Sequence, residues 1–269
     1  MYTEIASLYH LIYEDWDAAI EQQAHAFDQL FKRLLGAQRL KVLDVSCGIG
    51  TQAIGLAALS HHVTASDLSE GAVQRARREA QTRGLAIAFT VADMRDCAEV
   101  HQGGFDVVLS ADNSIPHLAG DAEIYKALTG FYESLRPGGV AVVGIRDYSR
   151  PGERGSSPQL LPHGFRRQGE DRYFVFQIRD WDDVGYDVSM YFLREAGDGR
   201  PAQVTSGNSR YYAIDVSRMV ELFRQAGFED VSRMDDVIYQ PIIVGRRPMG
   251  AITEPENRST SPGKARRAT

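Results

Sequence analysis

The sequence predicts an α/β protein: a doubly wound, mostly parallel sheet of seven strands with N-terminal helices and a small antiparallel β insertion after the fifth strand. Three observations predict this fold. Strand-like apolar runs alternate with helix-like segments between residues 40 and 146. The first run passes into a turn containing Gly48 and Gly50, where the backbone can turn sharply and approach a ligand closely. The next run ends at Asp67, where an acid can accept hydrogen bonds from both hydroxyls of a ribose.

Residues 1–36 are predicted to form a helical arm that acts as a lid. The first predicted helix has one apolar face, made of residues at spacings of three and four: Tyr9, Ile12, Tyr13 and Trp16. A second helix is predicted from about residue 18 to residue 35. It should end at Gly36, because glycine is common just beyond a helix C-terminus.

Residues 37–148 are predicted to form the nucleoside-binding core. The predicted strands cover 40–46, 62–66, 86–91, 105–110 and 139–146, and the predicted helices cover 51–59, 69–83 and 120–135. Since helical crossovers connect parallel strands, this alternation implies a parallel sheet with helices on both faces.

Residues 149–213 are predicted to form an insertion on the substrate side of the pocket. The stretch 149–171 contains three prolines and four glycines and is predicted to be a long loop. An antiparallel meander should follow, formed by Arg172–Trp181, Tyr186–Arg194 and Ala202–Ile214. Ligands of doubly wound sheets bind at the carboxyl ends of the strands, so an insertion after the fifth strand should line that site.

Residues 214–247 are predicted to complete the core sheet. A helix is expected over Val216–Ala226, closed by Gly227, and residues 229–234 and 237–245 should form a final hairpin. Residues 248–269 have no periodic apolar pattern and are predicted to be disordered.

Composition restricts the class of protein. A formal net charge of −6 disfavours a nucleic-acid partner. The two cysteines, Cys47 and Cys97, lie in unrelated contexts, which favours a reducing, cytoplasmic location. No apolar run reaches the roughly 18 residues of a membrane span, so no membrane partner is expected. The pair His61-His62 has no third ligand nearby, and no metal site is predicted.

The glycine turn leaves two cofactor classes open. Gly48-x-Gly50-x-x-Ala53 fits the relaxed dinucleotide pattern G-x-G-x-x-A of an NAD-dependent oxidoreductase. Asp44 argues against a dinucleotide, because a carboxylate four residues before Gly48 would repel a pyrophosphate. It suits a cationic ligand such as S-adenosylmethionine (SAM), which carries a sulfonium and an ammonium group and no phosphate.

The segment Val42–Gly50 resembles motif I of the class I SAM-dependent methyltransferases, and the resemblance extends in order and spacing over about residues 40–147. In that family the acid matched by Asp93 bonds the adenine amino group, and the next residue packs on the ring. The resemblance implies SAM as the cofactor. The residues expected to bind it are Asp44, Ser46, Gly48, Gly50, Asp67, Leu68, Asp93, Met94 and Ser110.

Two segments resemble the glycine and sarcosine N-methyltransferases. Residues 112–118 resemble their G-N-S-x-x-H-L segment, with Asp112 in place of glycine. Residues 145–148 resemble their H-R-N-Y segment, with Asp147 in place of asparagine. The resemblance implies that Arg146 holds a substrate carboxylate, which suits a guanidinium chemically. The expected substrate-binding residues are Arg146, Tyr148, Tyr9, Tyr211 and Tyr212, and the expected catalytic residues are Asn113, Tyr13 and His117.

Structural roles compete with these assignments. Arg146 could form an ion pair with Asp147 or Asp112, Asn113 could cap its turn, and His117 could cap a helix or pack in the core.

The predicted function is therefore SAM-dependent methyl transfer to a small-molecule amine, such as a glycine- or sarcosine-like amino acid, by in-line displacement. A methyltransferase acting on a natural-product nitrogen, oxygen or carbon is the alternative. An NAD-dependent oxidoreductase and a non-catalytic SAM-binding protein are the other classes left open. A homo-oligomer is compatible with the resemblance, although no residue requires one.

Overall fold

The computed structural model of the protein describes residues 5–197 and 199–250. Its larger sheet has seven strands, which are β1 (Lys41–Asp44), β2 (His62–Asp67), β3 (Ala88–Val91), β4 (Phe105–Ser110), β5 (Leu135–Gly144), β10 (Glu229–Met234) and β11 (Ile242–Arg246). Their spatial order is β10-β11-β5-β4-β1-β2-β3. Strands β1 to β5 are parallel, whereas β11 is antiparallel to both β5 and β10. The predicted doubly wound sheet is confirmed.

Helices cover both faces of this sheet, as the alternation predicts. The α-helices of the described residues span Trp16–Leu35, Thr51–Ala58, Glu70–Thr82, Cys97–His101, Asp121–Ser134 and Val216–Gln225. On one face Phe131 and Phe223 pack into an apolar cluster with the sheet, and on the other face Phe27 and Phe31 do the same. In the sheet, β2 lies on one side of β1 and β4 lies on the other, so the strand order reverses at β1. The carboxyl ends of β1 and β4 therefore flank the crevice in which such sheets bind ligands.

The predicted first helix is largely wrong. Residues Tyr9–Ile12 form only a short 3₁₀ turn, and Tyr13 is extended. The long helix begins at Trp16, because the Asp15 side chain accepts a hydrogen bond from the Ala18 N–H and caps its N-terminus. It ends at Gly36 with a φ of 67°, as predicted.

The predicted loop at 149–171 is also wrong in its second half. Residues Gln159–Gln168 form a strand, β6, at the edge of a four-stranded antiparallel sheet. Pro162 lies at a register shift in the pairing with the next strand. Proline is tolerated at an edge position beside a bulge, because its missing N–H does not remove a hydrogen bond between paired strands.

The remaining strands of the second sheet form the predicted meander. They are β7 (Asp171–Trp181), β8 (Gly185–Glu195) and β9 (Gln203–Tyr212), in the spatial order β6-β7-β8-β9. The N-terminal segment packs on this sheet, where Ile5 and Leu11 join Val175 and Phe192 in one apolar cluster.

The final hairpin is confirmed, but its second strand starts later than predicted. Strand β11 begins at Ile242, and the loop before it carries Tyr239 to the pocket described below. Most of the tail predicted to be disordered, residues 251–269, lies outside the described residues. Among the helices of the described ranges, none has the length and apolarity needed to cross a bilayer.

Candidate active site

A cavity of about 730 Å³ lies at the carboxyl ends of β1, β2 and β4. Most of the residues predicted to bind the cofactor line it. These are Ser46, Gly48, Asp67, Leu68, Asp93 and Met94. Predicted substrate and catalytic residues also reach it, namely Tyr9, Tyr13, His117 and Tyr211.

Asp67 holds the glycine turn in shape. The Gly48 N–H donates to its Oδ2 and the Ser69 N–H donates to its Oδ1, both at 2.8 Å. Burial raises the pKa of this carboxyl, although the two backbone donors oppose the shift. A carboxylate oxygen can accept more than one hydrogen bond, so Asp67 keeps acceptor capacity toward the cavity.

Three predicted cofactor residues lie behind the cavity lining. Ser110 Oγ lies 3.0 Å from Ser46 Oγ, and a hydrogen bond between the two hydroxyls links the glycine turn to the end of β4. Gly50 has a φ of 99°, and a Cβ there would approach Ile54 Cδ1 to 2.8 Å. The backbone conformation and the packing at position 50 therefore require glycine. The third residue behind the lining is Asp44, which, unlike Ser110 and Gly50, has an ionisable side chain.

Asp44 is a buried acid with spare acceptor capacity. Its side chain is almost inaccessible, and burial raises its pKa to about 8. Its Oδ1 accepts a hydrogen bond from the Ser46 N–H at 3.2 Å, and its Oδ2 has no hydrogen-bond partner among the described residues. A nearby cation would stabilise the ionised form, so this site fits a positively charged ligand better than a phosphate.

Asp93 is held by Arg95, a residue that the sequence analysis did not single out. The Arg95 N–H and Nε both donate to Asp93 Oδ1 at 2.9 Å. The hydrogen bonds from the Arg95 side chain lower the pKa of Asp93 despite partial burial. Asp93 is therefore a fixed carboxylate at the far end of the cavity.

A second cavity, of about 270 Å³, lies between the larger sheet and the inserted sheet. The predicted residues Tyr9, Tyr13, Asn113, Arg146 and Tyr211 line it. Four of the described residues line both cavities and so mark the boundary between them, which we call the passage: Tyr9, Tyr13, Asp112 and Tyr211.

Asp112 is the charged group of this passage. Its Oδ2 accepts hydrogen bonds from the Tyr13 hydroxyl at 3.2 Å and from Gln52 Nε2 at 2.9 Å. Its Oδ1 accepts one from the Tyr239 hydroxyl at 3.0 Å. Its φ of 54° is a left-handed conformation that aspartate tolerates better than most residues.

Asn113 joins the ends of β4 and β5. Its Oδ1 accepts a hydrogen bond from the Arg146 N–H at 2.8 Å, and its Nδ2 donates to the Tyr148 hydroxyl at 3.4 Å. These bonds hold the turn after β4, which is the structural role that competes with ligand binding, and Asn113 also lines the smaller cavity.

His117 faces the larger cavity, whereas the lining of the smaller one does not include it. Its Nδ1 lies 2.9 Å from Ser209 Oγ and 3.2 Å from the Arg210 carbonyl oxygen, and its ring lies 4.0 Å from that of Tyr211. Burial lowers its pKa to about 4, so the imidazole is neutral at physiological pH.

Two predicted substrate residues lie outside both linings. Tyr148 stands behind the smaller cavity, with its hydroxyl 3.3 Å from that of Tyr186. The Tyr212 hydroxyl donates to Asp121 Oδ1 at 2.9 Å and is directed to the start of a helix.

The competing structural role of Arg146, an ion pair with Asp147 or Asp112, is not present in the described part of the chain. Asp147 pairs instead with Arg233 at 2.7 Å, and the Arg146 guanidinium makes a longer contact of 3.4 Å with Glu153. Arg146 therefore keeps donors available to the smaller cavity.

Sequence reasoning missed Arg179, Gln177 and Tyr186, which line the smaller cavity from the inserted sheet. A signal was present for two of them. On β7 the inward positions alternate through Tyr173, Val175, Gln177 and Arg179. Polar residues at inward positions of a period-two pattern mark either a buried network or a binding site.

Comparison with known proteins identifies the family. Residues 42–139 match a family described as "Methyltransferase domain". The glycine N-methyltransferase of Oryctolagus cuniculus is 31% identical over 210 residues, which cover 69% of this chain and 68% of that protein. The chain belongs to the class I SAM-dependent methyltransferases. The family's cofactor is SAM.

Other relatives of this methyltransferase match shorter segments or the fold alone. The glycine/sarcosine N-methyltransferase of Parasynechococcus marenigrum is 34% identical over 143 residues, covering 53% of this chain and 50% of that protein. The chain thus spans about half the length of the glycine/sarcosine N-methyltransferases that it matches. The structure of the sugar N-methyltransferase KedS8 from Streptoalloteichus has a TM-score of 0.75 at 20% identity, covering 90% of this chain and 93% of that one.

Proposed function

We propose that this methyltransferase transfers a methyl group from SAM to the nitrogen of a small amine that carries an acid group, such as a glycine- or sarcosine-like amino acid. The observation that carries the proposal is the Arg146 guanidinium in the smaller cavity, which meets the larger cavity at the four shared residues. A planar guanidinium binds a carboxylate through two parallel hydrogen bonds and stays charged at every physiological pH.

The larger cavity suits the cofactor. Asp67 would bind the ribose hydroxyls, Asp93 and Met94 would bind the adenine, and the turn at Ser46 and Gly48 would hold the amino-acid part. Asp44, buried behind the lining, would stabilise the positive charge of SAM from there. When bound, SAM supplies a methyl group already activated by its sulfonium.

The residues of the passage would align the acceptor. With the acid group on Arg146, the amine would lie near Asp112 and the hydroxyls of Tyr13 and Tyr239, which can accept its N–H bonds and direct its lone pair. An amine needs only to arrive uncharged, so positioning is the main contribution. Effective molarities for well-aligned reactants reach about 10⁵–10⁸ M.

We also propose the predicted division of the chain, with residues 1–36 as a lid, 37–148 and 214–247 as the core, and 149–213 as the substrate side. Support for the lid comes from Tyr9 and Tyr13, which belong to the arm and border both cavities. A lid of aromatic side chains would exclude water from the transfer.

The alternative acceptor is a natural-product amine, hydroxyl or carbon without an acid group. One observation favours it: the wall of the smaller cavity is rich in aromatic rings, and Tyr186 stacks on Tyr211 with centroids 5.0 Å apart. Such a wall accommodates a flat or cyclic substrate as well as an amino acid.

The deciding experiment is methyl transfer from labelled SAM to glycine, sarcosine, dimethylglycine and an amino sugar, with S-adenosylhomocysteine release followed in parallel. We expect turnover on at least one of the three amino acids. Turnover only on the amino sugar would replace the proposed acceptor by the alternative. SAM binding without turnover on any of these compounds would overturn the amino-acid proposal.

A further inference from the structure

We propose that Arg179 is a second substrate-binding arginine, and that the acid group of the acceptor is a carboxylate bound by Arg146 and Arg179 together. The inference rests on the proposed function and deepens it. It assigns to the inserted sheet a charged residue that recognises the substrate.

The first observation is that Arg179 is buried without adequate partners. Only 3% of the residue is exposed, and its Nε has no hydrogen-bond partner among the described residues. Its Nη1 donates to the Glu153 carbonyl oxygen at a long 3.3 Å. A buried guanidinium with an unsatisfied N–H is costly, so such a group is expected where a ligand completes its hydrogen bonds.

The second observation is the position of this guanidinium. Arg179 lines the smaller cavity, and its Cζ lies 5.2 Å from the centroid of the Tyr186 ring. Stacking on an aromatic face holds the plane of a guanidinium and leaves its edge free to bind an anion. Arg179 is therefore oriented before a ligand arrives.

The third observation is the charge balance. The carboxylate within 4 Å of both guanidiniums, among the described residues, is that of Glu153. Its Oε2 lies 3.4 Å from Arg146 and 3.9 Å from Arg179, and a third of its side chain is exposed. Asp112 lines the same cavity, but among the described residues it forms no ion pair with either guanidinium, and its oxygens accept hydrogen bonds from Tyr13, Gln52 and Tyr239. The two guanidiniums therefore share one loosely held counter-ion, and a carboxylate bound in the cavity would pair with both.

The electrostatics agree with this geometry. Burial and the neighbouring Arg146 charge both lower the pKa of Arg179, yet a guanidinium does not lose its proton at physiological pH. Two cations that influence one another therefore line one cavity, and a bound carboxylate would relieve their repulsion.

The test measures anion binding directly, so that it does not depend on turnover. The S-adenosylhomocysteine-loaded protein is titrated calorimetrically with sodium acetate and with sarcosine, as wild type, Arg179→Gln, Arg179→Lys and Arg146→Lys. Arg172→Gln is the matched control, because Arg172 lies on the same strand with half of its side chain exposed. The Kd for S-adenosylhomocysteine and the melting temperature check that each variant folds.

We expect Arg179→Gln to weaken acetate binding at least about tenfold, equivalent to about 1.4 kcal/mol, and to leave S-adenosylhomocysteine binding within about twofold. Arg179→Lys should lie between wild type and Arg179→Gln, because it keeps the charge but loses the planar fork. Arg172→Gln should bind acetate as wild type does.

Acetate binding that is equal in wild type and Arg179→Gln, or absent from wild type, would overturn the inference. Two further outcomes distinguish a failure of the proposed function from a failure of this inference. Binding that depends on Arg179 without turnover on any amino acid keeps the anion site and rejects the proposed acceptor. Turnover on sarcosine with an unchanged KM in Arg179→Gln keeps the function and rejects the role of Arg179.

Discussion

The hydroxyl of Tyr13 donates a hydrogen bond to Oδ2 of Asp112 across 3.2 Å, which ties the N-terminal arm to the end of β4. Gln52, from the helix after the glycine turn, and Tyr239, from the loop before β11, donate to the same carboxylate. Four separate segments thus meet at one side chain between the two cavities. The arm is positioned by this contact as well as by its apolar packing.

We expect Asp112→Asn to lower kcat about tenfold or more at a temperature at which the variant remains folded. Asparagine tolerates the left-handed φ, but its amide cannot accept hydrogen bonds at both positions. One tyrosine or Gln52 then loses its acceptor, and hydrogen bonds to charged groups contribute about 1.5–3 kcal/mol. Single-turnover kinetics would check the rate, with the exposed Asp236→Asn as control. An unchanged kcat in Asp112→Asn would reject this alignment role.

Arg146→Lys should raise the KM of an acid-bearing amine by about ten- to a hundredfold and change the Kd of SAM by less than about twofold. Lysine keeps the positive charge but cannot form two parallel hydrogen bonds to a carboxylate. Steady-state kinetics and SAM titration would measure the two effects. Arg150→Lys is the control, since Arg150 follows in the chain and pairs with Asp235 outside the cavity. Equal effects on substrate and cofactor would contradict the assignment.

SAM affinity should rise with pH between about pH 6 and pH 7.5, by up to about tenfold per pH unit. Burial raises the pKa of Asp44 to about 8, so the carboxyl is mainly neutral in this range before binding. A cationic ligand stabilises the ionised form and releases the proton, which a higher pH favours. Calorimetry in buffers of different ionisation enthalpy would count the released proton.

Two controls belong to the pH experiment. Asp44→Asn cannot ionise and should flatten the profile. Adenosine carries neither positive charge of SAM, and its affinity should not vary with pH. A profile that is equally steep in Asp44→Asn would assign the proton to another group.

Gly55→Ala should destabilise the protein by about 1–3 kcal/mol. A Cβ at this position would lie 2.6 Å from Ala24 Cβ and 2.7 Å from the Ile20 carbonyl oxygen, so the long N-terminal helix would have to move. Thermal unfolding would measure the loss. Gly120→Ala is the control, because a Cβ there meets nothing within 4 Å in the described structure. Equal melting temperatures of Gly55→Ala and the wild type would show that the helices Trp16–Leu35 and Thr51–Ala58 can move apart without loss of stability.

Features that depend on short segments could be predicted from the amino-acid sequence alone. The parallel core, the glycine turn, the position of Asp67 and the helix end at Gly36 follow from hydrophobic period and local backbone preference. These signals act over about ten residues and can be recognised without knowing the neighbours. Local patterns were misleading at residues 9–16, where only a short 3₁₀ turn precedes the helix capped by Asp15, and at Pro162, which an edge strand accommodates.

The surroundings of the proposed acceptor depend on contacts between distant parts of the chain. Tyr13, Asp112 and Tyr239 come from three distant parts of the chain, and Arg179 lines the same cavity as Arg146 from a different sheet. No local pattern links them, because strand pairing and the packing of the arm bring them together. A cavity is enclosed by contacts between segments, so its full lining, unlike its glycine turn, emerges only when the sheets are assembled.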